Sequence, residues 1–433
     1  MFQAYSILLY IFSIFFFPYM AVKMALKGKG RAGLKQRLGF FEDGFRLPGA
    51  GKTVWVHAVS VGETLAAVPV VKSLMERNPD VTVYFSTVTE TGNAVAREKL
   101  DASVRVFFYP FDFAGAVKRA VEAIRPDVFV VVETEIWPNL LNELDRKNIP
   151  ALMVNGRISL RSFKGYRRAR FFMRRVLSLL THLNMQTAQD AERIKALGAP
   201  PGRVSVSGNV KFDQACCGTG RDGVRDLVVK ARLGVPDESL VMVAGSTHEG
   251  EEQEVLKAYR LLLAEFPGAF LVLAPRHPER LASVRALLDK EGVGYRLKSD
   301  LTGERLAGPD VIILDTMGEL AGIYRVGDIN FVGGSWVPVG GHNILEPAAF
   351  GKPVFFGPHM HNFAEISSIL KDCGVGMEVT DGAELAREAA RLMREPERIE
   401  AIAKAAKEAL IRNRGALEKN VELIEKYLYR ASS

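Results

Sequence analysis

Two periodicities alternate along most of this chain. From Thr53 onward, short apolar runs are separated by stretches with apolar residues at helical spacing. Thr53–Val59, Val81–Thr87, Arg105–Phe108, Val128–Val132, Ala151–Val154 and Val204–Val206 read as buried strands. Leu65–Glu76, Gly115–Ile124 and Asn139–Lys147 read as the helices between them. A break without periodicity follows at Gln214–Gly223, and then the pattern restarts. Leu240–Ala244, Phe270–Ala274, Val311–Leu314, Ile329–Val332 and Pro353–Phe356 are the next strands; Gly250–Glu265, Glu279–Lys290 and Phe363–Lys371 are helices. A charged helical stretch from Pro396 to Tyr429 is interrupted near Gly415. Strands alternating with helices predict parallel sheets wrapped by helices, here twice in tandem. The expected division is 1–22, 23–220 and 221–433, with the last helix able to pack back on the first domain. Doubly wound sheets bind ligands outside the carboxyl ends of their strands, so two facing domains would join two separately bound substrates across a cleft.

Residues 1–22 follow neither pattern. They are almost continuously apolar, with Phe12, Ile14, Phe15, Phe16 and Phe17 at the centre. At about 1.5 Å per residue, a helix of this length reaches about the hydrocarbon thickness. Lys23, Lys27, Lys29, Arg31, Lys35 and Arg37 follow, and no basic residue precedes the run. That order is the reverse of a secretory signal peptide. It keeps the rest of the chain on the cytoplasmic side of a membrane. Pro18 interrupts the run and Gln3, Ser6 and Ser13 dilute it, so a helix lying in the bilayer plane stands beside the preferred spanning one.

The 433 residues suffice for two domains with large cores. Apolar content of 48% and charged content of 25% exclude general disorder. The three cysteines, Cys216, Cys217 and Cys373, have no metal-ligand spacing, which argues against a zinc site or a disulfide scaffold. The net charge of +7 favours anionic partners. Much of it sits in one segment: Arg157, Arg161, Lys164, Arg167, Arg168, Arg170, Arg174 and Arg175, interleaved with Phe163, Tyr166, Phe171 and Phe172. Basic-plus-aromatic stretches can stack nucleic-acid bases, but beside an apolar anchor anionic lipid is the simpler partner. A solvated helix face is the plain alternative.

Candidate chemistry lies where strands end. Ser60-Val61-Gly62-Glu63-Thr64 puts a carboxylate at a helix start, either as general base or as a complement to the helix dipole. Glu133-Thr134-Glu135 closes the strand Val128–Val132 in an apolar setting, where carboxylates need partners or shifted pKa values. Lys211 follows Val204–Val206 and could neutralise an anionic substrate group. In the second half, Ser246-Thr247-His248-Glu249 begins like a zinc-protease motif, but position 252 is Glu, not His. Ser246 or Thr247 is instead expected to cap the next helix. Arg276-His277 suits a phosphate, and Asp315-Thr316-Met317-Gly318-Glu319-Leu320 follows a further strand. Gly340-Gly341-His342-Asn343-Ile344-Leu345-Glu346 lets the backbone approach a ligand. There Asn343 caps a helix whose N-terminus attracts phosphate, and Glu346 either accepts ribose hydroxyls or completes the cap. No Walker motif occurs, and no Gly-x-Gly-x-x-Gly of the dinucleotide type directly follows a predicted strand, so ATPase and dehydrogenase readings are weak.

Taken together, His57–Thr64, Glu133–Asn139, Asn209–Asp213, Ser246–Glu252, Pro275–Arg280, Asp315–Leu320 and Gly340–Glu346 resemble the 3-deoxy-D-manno-octulosonic acid (Kdo) transferases of lipopolysaccharide synthesis, in order and over nearly the whole chain. The resemblance implies a GT-B fold of two Rossmann-like domains and an inverting transfer. CMP-Kdo would be the donor, the lipid A precursor the acceptor, and the inner membrane the place. It implies Glu63 as general base, with Glu133 and Lys211 stabilising the transition state. Arg276, His277, Met317, Gly318, Glu319, Leu320, Asn343, Ile344, Leu345 and Glu346 match CMP-binding positions. Arg157, Arg161, Lys164, Arg167 and Arg168 are expected to face the acceptor and anionic lipid. No metal, cofactor or nucleic acid is expected. The alternatives are a GT-B enzyme using a UDP-sugar and a non-catalytic membrane adaptor.

Overall fold

The structure, a computed structural model, describes residues 1–27, 32–46, 51–216, 223–306 and 311–429. The chain forms two compact units. One is Met1–Gln214 together with the C-terminal segment from Arg414; the other is Ala215–Asn413. The boundary therefore falls at Gln214 rather than at 220, and the last helix belongs with the first unit.

The first unit is built on seven parallel strands: β1 (Thr53–Ala58), β2 (Thr82–Thr87), β3 (Arg105–Phe108), β4 (Val128–Val132), β5 (Ala151–Gly156), β6 (His182–Met185) and β7 (Val204–Val206). Their order is β3-β2-β1-β4-β5-β6-β7. The chain moves outward to β3, returns past β1, and then builds in the other direction, so β1 and β4 flank the point where the order reverses. Val54, Val56, Val128 and Val130 face one apolar layer, Trp55, Phe129 and Val131 the other. Both faces must be covered because the central strands β1, β2 and β4 carry apolar residues on both sides. Helix Ala416–Leu428 covers part of one face with Val421, Ile424 and Leu428. Gly415, at φ 93°, turns the chain into that helix, and Asp213 accepts the N–H groups of Gly415 and Leu417.

The second unit repeats the plan with β8 (Val241–Thr247), β9 (Phe270–Pro275), β10 (Tyr295–Leu297), β11 (Val311–Ile313), β12 (Ile329–Val332), β13 (Val354–Phe356) and β14 (Gly376–Glu378). The order is β10-β11-β9-β8-β12-β13-β14, again all parallel, reversing between β8 and β12. Three strands escaped the sequence pattern. β6 is His-Leu-Asn-Met, β10 is Tyr-Arg-Leu and β14 is Gly-Met-Glu, each short and partly polar.

The N-terminal run is a helix, Phe2–Lys27, with Pro18 inside it. Among the described residues no helix is long and apolar enough to cross a membrane. The first turns of this helix are docked on the first unit. Tyr5 donates to Asp112, Ser6 to Asn139, Phe2 and Tyr5 pack on Phe172, and Tyr10 stacks on Phe113. Ile7, Leu8, Ile11, Phe12, Ile14 and Phe15 are exposed. Of the basic residues behind the run, Lys29 and Arg31, and the side chains of Lys23 and Lys27, lie outside the described residues, as do the side chains of Phe16 and Phe17. Arg37 is turned into the domain: it donates to the Val88 carbonyl and lies 4.7 Å from the Phe108 ring centroid.

Candidate active site

Glu63, Glu133, Thr134, Glu135, Arg157, Ser159, Ser162 and Tyr166 line one pocket at the carboxyl ends of β1, β4 and β5. β1 ends at Ala58 and Ser60 precedes helix Val61–Arg77, so Glu63 falls in the helix's first turn. Its carboxylate accepts the Val59 N–H at 2.5 Å and the Ser60 hydroxyl at 3.1 Å. The helix-start role and the pocket position therefore coexist. Burial, with Glu133 nearby, pushes Glu63 up to about 7 from 4.5, against the Val59 hydrogen bond that pulls it down. Such a group is ready to accept a proton at neutral pH.

Glu133 has φ 61°, a left-handed backbone that a non-glycine residue rarely adopts. Its N–H still reaches the Val154 carbonyl across the sheet. The turn costs on the order of 1–3 kcal/mol and redirects the chain at the reversal point of the sheet. Thr134 is bound to the backbone of Arg157, which ties the β4 and β5 ends together. Glu135 is pushed up to about 8, first by burial and then by Glu63 and Glu133. The sequence left open which of the two glutamates is structural; both line the pocket.

Behind the carboxylates lies an aromatic stack. His57 sits 3.9 Å from Tyr109, which sits 5.1 Å from Trp137. Burial holds His57 neutral, down to about 3, with Nδ1 on Ser86. His57 is part of the scaffold.

Lys211 is not among the residues lining this pocket. It opens helix Val210–Cys216, its N–H bound to the Asn209 side chain, and Gln214 ties that helix to the Leu65 carbonyl, two residues beyond Glu63. Of the basic residues, Arg157 is half-buried in the carboxylate pocket. Arg161, Lys164, Arg167 and Arg168 are exposed on helix Leu160–Arg168. The sequence grouped them by charge; the fold separates Arg157 from the rest. A groove beside β3, lined by Lys35, Phe41, Arg97 and Arg105, holds none of the candidates.

In the second unit, Arg276, His277, Asp315, Met317, Gly318 and Leu320 share a pocket with Ser246 at the ends of β8, β9 and β11. Ser246 has φ 56°, in the same kind of turn as Glu133. Met317 is 73% exposed, available to a ligand. Glu319 is held by Thr316 and, at 3.1 Å, by Lys298. Those bonds hold its carboxylate below its ordinary range, the Thr316 hydroxyl first. Ile344 and Leu345 are fully buried, backbone and side chain alike, so neither presents a surface to a ligand in this structure. The expected cap is corrected in detail. Ile344, not Asn343, is the cap residue of the five-residue helix Leu345–Ala349. Asn343 binds the Leu345 N–H and donates to Glu346 at 3.1 Å. Burial raises Glu346, while Arg276 opposes that shift.

The expected capping by Ser246 or Thr247 is also overturned: Gly250, at φ 94°, precedes helix Glu251–Glu265. Thr247 instead binds Glu252, which is fully buried and paired with Arg280 at 2.5 and 3.1 Å. Glu251, also buried, accepts the N–H groups of His248, Gly334, Ser335 and Trp336 at 2.7–3.0 Å. These two acids lock the loops after β8, β9 and β12 together. Sequence reading missed them, and their signal was a pair of acids directly after a glycine at a helix start. Among the described residues no group of three His, Cys, Asp or Glu side chains is placed to hold a metal ion.

Two doubly wound units, each with polar residues gathered at the carboxyl ends of its strands, resemble the GT-B fold of glycosyltransferases. Solved structures agree on the fold. A glycosyltransferase from Rickettsia africae is 13% identical, with a TM-score of 0.59 over 88% of this chain and 100% of that one. UDP-GlcNAc 2-epimerase from Neisseria meningitidis is 14% identical, with a TM-score of 0.57 over the same shares. The family model described as 3-deoxy-D-manno-octulosonic-acid transferase (kdotransferase) matches residues 32–214. The 3-deoxy-D-manno-octulosonic acid transferase of Haemophilus influenzae is 36% identical over 92% of both chains. That of Bordetella pertussis is 32% identical over 87% of both. The chain belongs to the 3-deoxy-D-manno-octulosonic acid (Kdo) transferase family.

Proposed function

We propose that this enzyme transfers Kdo from CMP-Kdo to the lipid A precursor, a tetraacyl disaccharide bisphosphate, with inversion, in lipopolysaccharide synthesis. The observation that carries this reading is the Glu63 carboxylate, half-buried beside Glu133 and Glu135 and pushed up to about 7. An acceptor hydroxyl entering this pocket gives its proton to Glu63 as its oxygen bonds the anomeric carbon. The bond to CMP breaks and its electrons leave with the phosphate. Positive charge on the sugar ring in this oxocarbenium-like state favours a nearby carboxylate, the role given to Glu133. Lys211 is assigned to the donor's carboxylate.

On the donor side, Arg276 and His277 take the phosphate, and Met317–Leu320 with Asn343 and Glu346 take the rest of the nucleotide. A monophosphate leaving group carries little charge, and one guanidinium can neutralise much of it, so the step needs no bridging metal. A UDP-sugar donor would bring a diphosphate to the same place. The membership in the Kdo transferase family favours CMP-Kdo. A non-catalytic adaptor leaves the three carboxylates of the pocket without a purpose.

The N-terminal helix is proposed to lie on the cytoplasmic face of the inner membrane rather than to span it. Its docked first turns and its exposed Ile7, Leu8, Ile11 and Phe15 support this reading. Exposed Phe171 and the arginines of helix Leu160–Arg168 belong to the same unit and would meet anionic lipid and the acceptor's phosphates. The test is Glu63→Ala, assayed for transfer and for CMP binding by calorimetry. Loss of transfer with CMP binding kept is expected. Unchanged transfer would sink the role of Glu63, and UDP binding in place of CMP would favour the other donor.

A further inference from the structure

Two histidines of the donor unit have no role in the proposal above. His248 follows β8 and His342 lies in the loop after β12. Their Nε2 atoms are 2.8 Å apart and their rings are parallel within 4°, centroids 5.1 Å apart. Two lone pairs at that distance repel, as do two N–H groups, so one imidazole donates to the other. The arrangement is built in. The His248 N–H is held by buried Glu251, the same carboxylate that fixes Gly334. Gly334, at φ 66°, carries both rings: a Cβ there would stand 2.9 Å from His342 Cδ2, 3.0 Å from its Nε2 and 3.4 Å from His248 Cδ2. The His277 ring meets that of His248 edge-on at 5.4 Å.

The charged and titratable groups acting on the pair are Arg276, His277, Arg280 and Glu251. Arg280 is engaged by Glu252, and the Glu251 carboxylate by four backbone N–H groups. Arg276 and His277 are exposed and open to a ligand. Burial first lowers both imidazoles, His342 down to about 4; for His248 the Glu251 carboxylate opposes that shift, and the neighbouring arginines add to it. The pair is thus held uncharged and hydrogen-bonded close to the exposed Arg276 and His277.

We propose that His248 and His342 form a proton-sharing pair that takes up one proton when the donor's phosphate binds beside Arg276 and releases it when the nucleoside monophosphate leaves. This rests on the donor site proposed above. The proton comes from solvent and no other bond changes. The neutral pair holds two nitrogen-bound protons and the charged pair three, so the Nε2–H···Nε2 bond becomes charge-assisted. The phosphate drives the change by neutralising Arg276 and by placing a negative charge near the pair. The pair is a positioning and charge-matching device: it adds positive charge only while a phosphate is present.

The test is calorimetry of CMP binding to the whole chain, in two buffers of equal pH and different ionisation enthalpy. His248→Gln and His342→Gln are measured alongside, with cytidine as the ligand lacking phosphate. Uptake of about one proton per CMP is expected in the wild type and close to none with cytidine. In either folded variant the uptake falls to about half or less, and CMP binds about tenfold more weakly. Thermal unfolding shows which variant is folded, and one folded variant suffices. Undiminished uptake in a variant that binds CMP overturns the pairing, as does absence of uptake in the wild type. If CMP fails to bind the wild type, the donor site itself is refuted and the pairing falls with it.

Discussion

Replacing Glu63 with Gln should remove activity and raise stability together, and the size of each effect follows from the pocket. The carboxylate titrates at about 7 in the folded chain against 4.5 ordinarily. Each pH unit of that displacement corresponds to about 1.4 kcal/mol, so the ionised group opposes folding by about 3 kcal/mol at most. Partial solvent access brings the measurable part to about 1–2 kcal/mol. Below pH 4.5 both states are protonated and Glu63 adds nothing. Between 4.5 and about 7 the unfolded chain gives up its proton first, so wild-type stability falls as pH rises. Above about 7 the penalty is complete. Gln is neutral throughout, and its carbonyl oxygen can still accept the Val59 N–H. E63Q should therefore match the wild type in acid and melt about 2–8 °C higher at mildly alkaline pH. Its kcat should fall by about 10²–10⁴-fold, while wild-type kcat/KM rises with pH through about 7. Scanning calorimetry and a transfer assay over the same buffers read both. An E63Q variant with near-normal kcat, or one no more stable than wild type at alkaline pH, would refute the assignment.

Glu251→Ala strips the shared acceptor from four N–H groups. It should destabilise the second unit by about 3–5 kcal/mol, read by urea unfolding. Arg276→Ala should weaken CMP binding by about 10–100-fold, with a shallower salt dependence, read by calorimetry. Tyr5→Phe removes the bond to buried Asp112, so hydrogen exchange in the first turns of the N-terminal helix should accelerate by about tenfold or more while transfer to a soluble acceptor analogue persists. Asp112 is pushed up to about 7 by burial, so its bonds to Tyr5, Asn139 and Leu140 offset only part of the penalty of its charge.

The repeated sheet was legible because buried parallel strands are continuously apolar, as Val128–Val132 and Phe270–Ala274 show. β6 and β14 were not, because strands of only three or four residues, one next to a sheet edge and one at it, need no apolar run. Glu63 and Glu133 could be found because the strands stop abruptly before them. That Glu135 shares their pocket depends on a left-handed turn at Glu133, which its residue type does not announce. His342 was visible only as a neighbour of glycines, since its partner His248 is far away in sequence. The basic segment looked like one surface. Thr134 binds the Arg157 backbone and places that residue in the pocket, whereas Arg161, Lys164, Arg167 and Arg168 are exposed on helix Leu160–Arg168 and the last three arginines follow on helix Arg170–Leu177.

The most direct test of the account is the mass of the product when the purified chain meets CMP-Kdo and a tetraacyl disaccharide bisphosphate with EDTA present. The account predicts an acceptor heavier by one or more whole Kdo residues, formed by the wild type and not by E63Q. An unchanged acceptor mass, with turnover of a UDP-sugar by the same preparation, would contradict it.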